Sequence, residues 1–380
     1  MAMLIIKNRK FLYSVAALIG SIVGVGIFGI PFAFAKAGFW VGLVFLIVLG
    51  LITLLIDLLY GEVVLRTNSQ HQLAGYTGLY LGQVFKKIIF FSAAFTSYVA
   101  LLAYIIISGE LLVNVFSFWQ FNPDTYSYVF YLFFSILILF GIKRISWLEL
   151  TLTALFIGVI VIVFISGFGK INSANFQITN SYYWFLPYGI VLFAFAGLSG
   201  VPIQREILIG QEKLLKKSII WAMIIVSLLY FVFALTVVGI SGETTTPDAI
   251  KGLYEFLGDK IIFLGSLFGV LAVGTSYLML GTALSEIFQY DYAIKRGISW
   301  ALVVIPPMIF FSGGIRTFID IIGLAGAVAL ALEMAVLVLV YMKAKKHGTR
   351  IPEYSLKISK FFLYFVILIF LTGIGYALTN

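Results

Sequence analysis

Two short strings in this chain put backbone, rather than side chains, where chemistry can happen. Residues 20–31 read GSIVGVGIFGIP and residues 193–202 read FAFAGLSGVP. Inside a helix glycine costs about 1 kcal/mol relative to alanine, and proline about 3 kcal/mol. Neither string therefore continues its apolar surroundings as a regular helix. Non-helical backbone at membrane depth survives only where it is buried in protein or lines a wet cavity. There, released N–H groups and the start of the next helix can hold an anion such as a carboxylate, and released carbonyls can hold a cation. Gly24 and Gly26 bring no side chain, so a ligand can reach the backbone directly. Gly197, Ser199, Gly200 and Pro202 play the same structural part in the second string. Close packing of small residues, for which Gly20 and Gly24 have the spacing, is the competing explanation.

Side chains supply two further candidates. Thr275 and Ser276 are adjacent hydroxyls in an apolar stretch, where the ordinary role is back-bonding to a carbonyl one turn earlier. Asp57, Glu62, Glu110, Glu286 and Glu333 also fall within apolar stretches, and charges there are functional candidates by default. Those near the ends can instead snorkel to the interface. Asp57, Glu62, Glu333 and Arg205 form a candidate gate, with acids pairing to Arg205 or Arg66 in one state only. The pair singled out is Glu62 with Arg205. An enzyme would need a metal-binding or nucleophile–base cluster. Two histidines in polar segments, His71 and His347, and no cysteine leave little material for one. A channel would share the apolar stretches but not the paired interruptions.

The elements that carry these residues follow from composition. Of 380 residues 62% are hydrophobic and 11% charged, and the mean hydropathy is +1.10. Soluble domains carry about 25% charged residues, so the solvent of this chain is lipid. A membrane helix needs about 20 apolar residues; eleven spans are expected, at roughly 11–35, 39–65, 88–116, 126–142, 147–168, 182–209, 216–241, 260–290, 297–312, 315–342 and 358–378. With the N-terminus inside, only Lys36, Lys170, Lys251, Lys260 and Arg316 of the 25 Lys and Arg fall outside. That is the asymmetry expected of a multi-pass protein, and it reads the net charge of +9 as membrane topology, not nucleic-acid binding. The C-terminus is then outside. The first apolar run is too long for a cleaved signal and is read as retained. The interruptions fall in spans one and six, which run in opposite directions. This matches a five-plus-five inverted repeat in one transmembrane domain over 1–380. The first repeat covers about 11–168, the second about 182–342, and the helix at about 358–378 is an addition.

The strings GSIVGVGIFGIPFAFAKAGFW at 20–40, YGEVVLRT at 60–67, TSYVALLAYIIISGELL at 96–112 and LPYGIVLFAFAGLSGVP at 186–202 resemble the amino acid–polyamine–organocation superfamily. They are most similar to its amino acid/auxin permease branch and to the bacterial aromatic amino acid permeases. The resemblance runs from residue 11 to about residue 290 and implies a LeuT-type fold with coupled uptake of amino acids. By the same resemblance the amides of Gly24, Val25 and Gly26 receive the substrate carboxylate, capped by Tyr104. Carbonyls around Phe193, Ala194 and Ala196 receive the amino group. Phe193, four residues before Gly197, is the aromatic gate, and Ser21 and Ile22 line the pocket. A sodium site would use Gly20, Val23, Ala272, Thr275 and Ser276, and a set of uncharged oxygens suits a monovalent cation. Ser199 stands where many members carry Glu, which argues against a cationic substrate and against their proton-linked gating. The fifth span lacks Lys, which leans to sodium. Aromatic permeases resembling this chain are proton-linked, so both ions stay open, with no other cofactor implied. Apart from Ser21, Ser199 and backbone the pocket strings are apolar. They suit a neutral amino acid, large or aromatic, partnered by Phe193 and Phe195. An exchange-mode permease and a non-transporting receptor are the alternatives to a symporter.

Overall fold

The computed structural model describes residues 2–119, 121–140, 146–177 and 179–379. Residues 141–142 of the fourth expected span, and Lys143 and Arg144 of the charge pattern, lie outside the described residues, as does the side chain of Lys7. The first expected span is two helices, α1 (Ala2–Ile22) and α2 (Gly26–Ala37), bent by 57° at the break. Next come α3 (Phe39–Arg66), α4 (Leu73–Leu81), α5 (Gln83–Val115), α6 (Pro123–Phe140) and α7 (Ser146–Gly167). The sixth expected span is likewise two helices, α8 (Leu186–Ala194) and α9 (Gly200–Ile207). The chain continues through α10 (Leu215–Ser241), the single turn α11 (Tyr254–Leu257), α12 (Asp259–Tyr292) and α13 (Arg296–Ser312). It then runs through α14 (Phe318–Leu324), a π-helical stretch at Ala325–Leu330, α15 (Ala331–His347) and α16 (Lys360–Thr379).

Eight of the described helices are long and apolar enough to cross a bilayer, or nine if the bent pair α1–α2 counts as one span. The eleven expected by eye include α8–α9 and α13, which are too short to qualify singly. Each is limited by composition: α8 and α9 by the glycine-rich break, and α13 by Pro306 and Pro307 within only 17 residues. The polar stretch before α5 holds α4, a nine-residue helix that the hydropathy did not reveal. Gly38 turns the chain between α2 and α3 with φ 106°, a conformation open to glycine and strained for other residues.

Small residues set the centre of the bundle. A Cβ on Gly26 would stand 2.6 Å from the Ala194 Cα, and one on Gly189 only 2.1 Å from the Gly323 carbonyl oxygen. Gly326 would meet the Gly189 carbonyl at 1.9 Å. Thus α2, α8 and the π-helical stretch touch backbone to backbone, the close approach that small residues permit in membranes. Close packing therefore accounts for Gly26, a position outside the Gly20–Gly24 spacing.

Candidate substrate site

The two breaks meet. A Cβ on Gly197 would lie 2.2 Å from the Ile22 side chain, and one on Gly200 2.8 Å from the Ser21 Oγ. In the first break Val23 N–H still bonds the Ile19 carbonyl at 2.7 Å, and Phe28 N–H bonds the Val25 carbonyl at 3.1 Å. Among the described residues the N–H groups of Gly24, Val25 and Gly26 have no protein acceptor. They open a twelve-residue helix, so the partial positive charge of its N-terminus adds to theirs. Opposite them, a Cβ on Gly24 would stand 2.8 Å from the Tyr104 hydroxyl and 3.6 Å from the Ser276 Oγ. Tyr104 from α5, Ser276 from α12 and the bare turn of the first break thus surround one point.

That point is the inner end of a cavity of about 530 Å³. Gly20, Ser21, Ile22, Gly24, Val25 and Gly26 line it from the first break, Phe193, Ala196 and Ser199 from the second, and Tyr104, Ser276 and Glu333 from neighbouring helices. Its other end is lined by the exposed residues Gln70, Glu206 and Glu286. Three expected pocket residues do not line it. Phe195 is fully buried, its ring 5.2 Å from that of Tyr230; it stands two residues after Phe193, just past the end of α8. Ala194 faces Gly26, and its carbonyl is already taken by the Tyr230 hydroxyl at 2.7 Å. Gly197 is covered by Ile22. The Phe193 carbonyl accepts from Ala196 N–H at 3.0 Å, whereas no hydrogen bond within the described protein reaches the Ala196 carbonyl.

The expected cation set lies only partly on the cavity wall. Gly20 and Ser276 line the cavity; Val23, Ala272 and Thr275 do not. The Thr275 hydroxyl donates to its own helix, 3.0 Å from the Leu271 and Ala272 carbonyls, and Gly20 faces the Thr153 Oγ1 at 3.9 Å. The gate pair Glu62–Arg205 is not formed. Glu62 is fully buried, bonded to Arg66 at 2.8 Å, to the Ser355 Oγ at 2.9 Å and to Leu356 N–H at 2.6 Å. Arg205 donates to the Val64 carbonyl at 2.7 Å. The reason is local: residues 349–356 fold back over the end of α3 and satisfy Glu62, leaving Arg205 the helix-end carbonyls. Asp57 is fully buried with both carboxylate oxygens unpartnered. Glu333 accepts from the Ser92 Oγ at 3.2 Å and the Thr96 Oγ1 at 3.0 Å on the cavity wall.

At the end of the molecule away from the cavity mouth, Lys251 pairs with Glu110, and Arg316 pairs with Asp124 at 3.0 Å. In that loop region Asp248 is buried, and burial raises its carboxyl above the ordinary range, a shift that the nearby Thr246 side chain and then Lys251 partly offset. Near the cavity mouth, Gln204 on α9 donates to the Ser14 carbonyl on α1 at 3.0 Å, tying the two inner half-helices together.

Broken helices that meet beside a polar-lined chamber define a class of membrane carriers. The crystal structure of MhsT in complex with L-phenylalanine shares this fold, with a TM-score of 0.67 at 14% identity over 97% of this chain and 98% of that one. The architecture is the LeuT fold of a multi-pass membrane permease. Residues 7–377 match the tryptophan/tyrosine permease family, and the chain belongs to it. A tryptophan-specific transport protein of Shigella flexneri is 24% identical over 367 residues, 87% of this chain and 86% of that protein. Family and fold together make this an amino acid permease and not an enzyme.

Proposed function

We propose that this chain is a cation-coupled symporter that moves a neutral aromatic amino acid, tryptophan or tyrosine, across the cytoplasmic membrane. The observation that carries the reading is the set of bare amides at Gly24, Val25 and Gly26, facing Tyr104 at the closed end of the cavity. They suit a carboxylate. The Ala196 carbonyl across the cavity suits the ammonium, and Phe193 suits a large side chain. A tryptophan-specific transport protein among the relatives supports the same substrate class.

The reading has the chain crossing the membrane eleven times as one domain, in two inverted repeats of five plus one further helix, with the N-terminus inside. On that orientation the cavity opens to the cytoplasm and the Lys251–Glu110 and Arg316–Asp124 pairs close the outer side. On this reading the state is inward-facing, with Glu62 held by Arg66 and by residues 355–356 and not by Arg205. Alternating access then needs the outer pairs to break as the inner contacts form. The coupling ion in this reading is a proton, because Glu333 places a carboxylate between two hydroxyls on the cavity wall. The Thr275 hydroxyl donates its proton to its own helix and keeps its lone pairs for a cation, so sodium at Thr275 and Ser276 is the second reading.

Purified protein in liposomes tests the whole. Counterflow of labelled tryptophan is expected, with accumulation driven by an inward proton gradient. Accumulation under a sodium gradient alone would instead place the ion at Thr275 and Ser276. Tryptophan binding without counterflow would identify a receptor.

A further inference from the structure

Tyr230 belongs to α10, outside both broken helices, and it is fully buried. Its hydroxyl stands 2.7 Å from the Ala194 carbonyl and 3.4 Å from the Ile22 carbonyl. Ala194 is the last residue of α8 and Ile22 the last of α1. One hydroxyl therefore caps the C-terminal ends of both interrupted helices, just ahead of each break. Such ends carry partial negative charge and unsatisfied carbonyls, so two of them brought together in an apolar surround repel unless a donor is shared. A three-centre bond from one O–H does this. The ring is fixed in place by Phe195, at 5.2 Å and an interplanar angle of 58°, and Phe195 is itself wedged 3.2 Å from where a Cβ on Gly50 of α3 would be.

We propose that Tyr230 is the positioning residue of the substrate site: it fixes the separation between the amides of 24–26 and the Ala196 carbonyl, so that only a ligand carrying both an anion and a cation at that separation gains from both. The proposal rests on the zwitterion reading above and adds what sets its geometry. Tyr230 does not line the cavity and touches no ligand; it acts through the carbonyls that precede each half-site by two residues. Ala194 is thereby removed from the ammonium's ligands and becomes part of the support. Preorganisation of this kind raises affinity by removing the cost of ordering the two halves at binding.

The consequence separates a positioning role from a merely structural one. A ligand that uses both breaks depends on their spacing; a ligand that uses one does not. Dissociation constants of tryptophan, tryptamine (no carboxylate) and indole-3-propionate (no amine) are measured on purified wild type and Tyr230→Phe in nanodiscs. Tyr230→Phe keeps the ring and loses the hydroxyl. Tryptophan is expected to weaken about ten-fold, the scale of one buried hydrogen bond, while each single-ended analogue changes less than about two-fold. Phe195→Leu, which loosens the seat of the ring and leaves the hydroxyl, is expected to move the same ratio about three-fold, and it decides the matter if Tyr230→Phe does not fold. Equal losses for all three ligands, or unchanged tryptophan affinity, would overturn the proposal. Wild type that binds no amino acid would remove the zwitterion reading itself, and that result is visible before any variant is compared.

Discussion

The two breaks look alike in composition and differ in what they offer. The first, between α1 and α2, leaves three successive amides without acceptors. The second, between α8 and α9, bonds Phe195 N–H to Val191, Ala196 N–H to Phe193, Gly200 N–H to Gly197 and Val201 N–H to Leu198, at 2.8–3.3 Å, and among the described residues it too leaves three successive amides, those of Gly197, Leu198 and Ser199, without an acceptor. What differs is the cover and the neighbouring carbonyl: Gly24, Val25 and Gly26 all line the cavity, whereas Ile22 covers Gly197 and the unbonded Ala196 carbonyl lies beside the second set. The first break therefore turns a run of donors to the cavity, and the second turns a mixture of donors and one acceptor to it. Glycine content alone predicts an interruption; which of its released groups face the cavity depends on what packs over them, as Ile22 does over Gly197. On the proposed reading a zwitterion would take its donors from the first break and its acceptor from Ala196, with no basic side chain needed for the carboxylate.

The sharpest way to break this contrast is to fill the contact between the halves. Gly26→Val would drive a side chain into the Ala194 backbone, 2.6 Å from its Cβ position, which cannot swing aside as a side-chain tip can. Loss of folded protein by about 3 kcal/mol or more is expected, as for overpacking at the upper end, read as a collapse of the melting temperature together with uptake. Gly24→Ala is the complementary test. Its Cβ meets the Tyr104 hydroxyl at 2.8 Å, the movable end of a side chain, so stability should hold within about 1 kcal/mol. Affinity for tryptophan should fall about 100-fold, because the methyl sits where the carboxylate belongs. Asp248→Asn is the control that leaves both breaks alone. Burial raises the Asp248 carboxyl, so the folded protein holds this proton at pH values where the unfolded chain has lost it. Stability contributed there is greatest below the ordinary carboxylate range and falls as pH rises through the raised value. Asp248→Asn should flatten that part of a melting-temperature profile against pH while changing tryptophan affinity less than about two-fold.

What the residues alone could tell was governed by strength of signal. Gly24, Gly26, Gly197 and Pro202 were legible as breaks because glycine and proline act on the backbone wherever they fall. Tyr104 was legible because its helix was already placed beside the breaks by the resemblance. Tyr230 was not: it is one of 21 tyrosines, on an uninterrupted apolar span, and only the meeting of α10 with both half-helices gives its hydroxyl a purpose. The split between Phe193 and Phe195 was invisible for a related reason, since the helix ends between them and local turns decide which ring faces the cavity. Glu62 and Arg205 attracted attention as opposite charges in apolar stretches. The strap at residues 349–356, which satisfies Glu62, comes from a polar segment nearly 300 positions away, and no local pattern announces it. The π-helical stretch before Glu333 is equally silent, being apolar and glycine-containing like its surroundings.

The central claim is that donors at one break and an acceptor at the other hold the two ends of one amino acid. Equilibrium binding to wild-type protein, comparing tryptophan with the same molecule lacking its carboxylate and lacking its amine, tests that claim most directly. Both truncated ligands should bind at least about 100-fold more weakly than tryptophan, each having lost charge-assisted hydrogen bonds worth roughly 1.5–3 kcal/mol apiece. If either bound as tightly as tryptophan, the break that should hold its missing group would have no part in recognition.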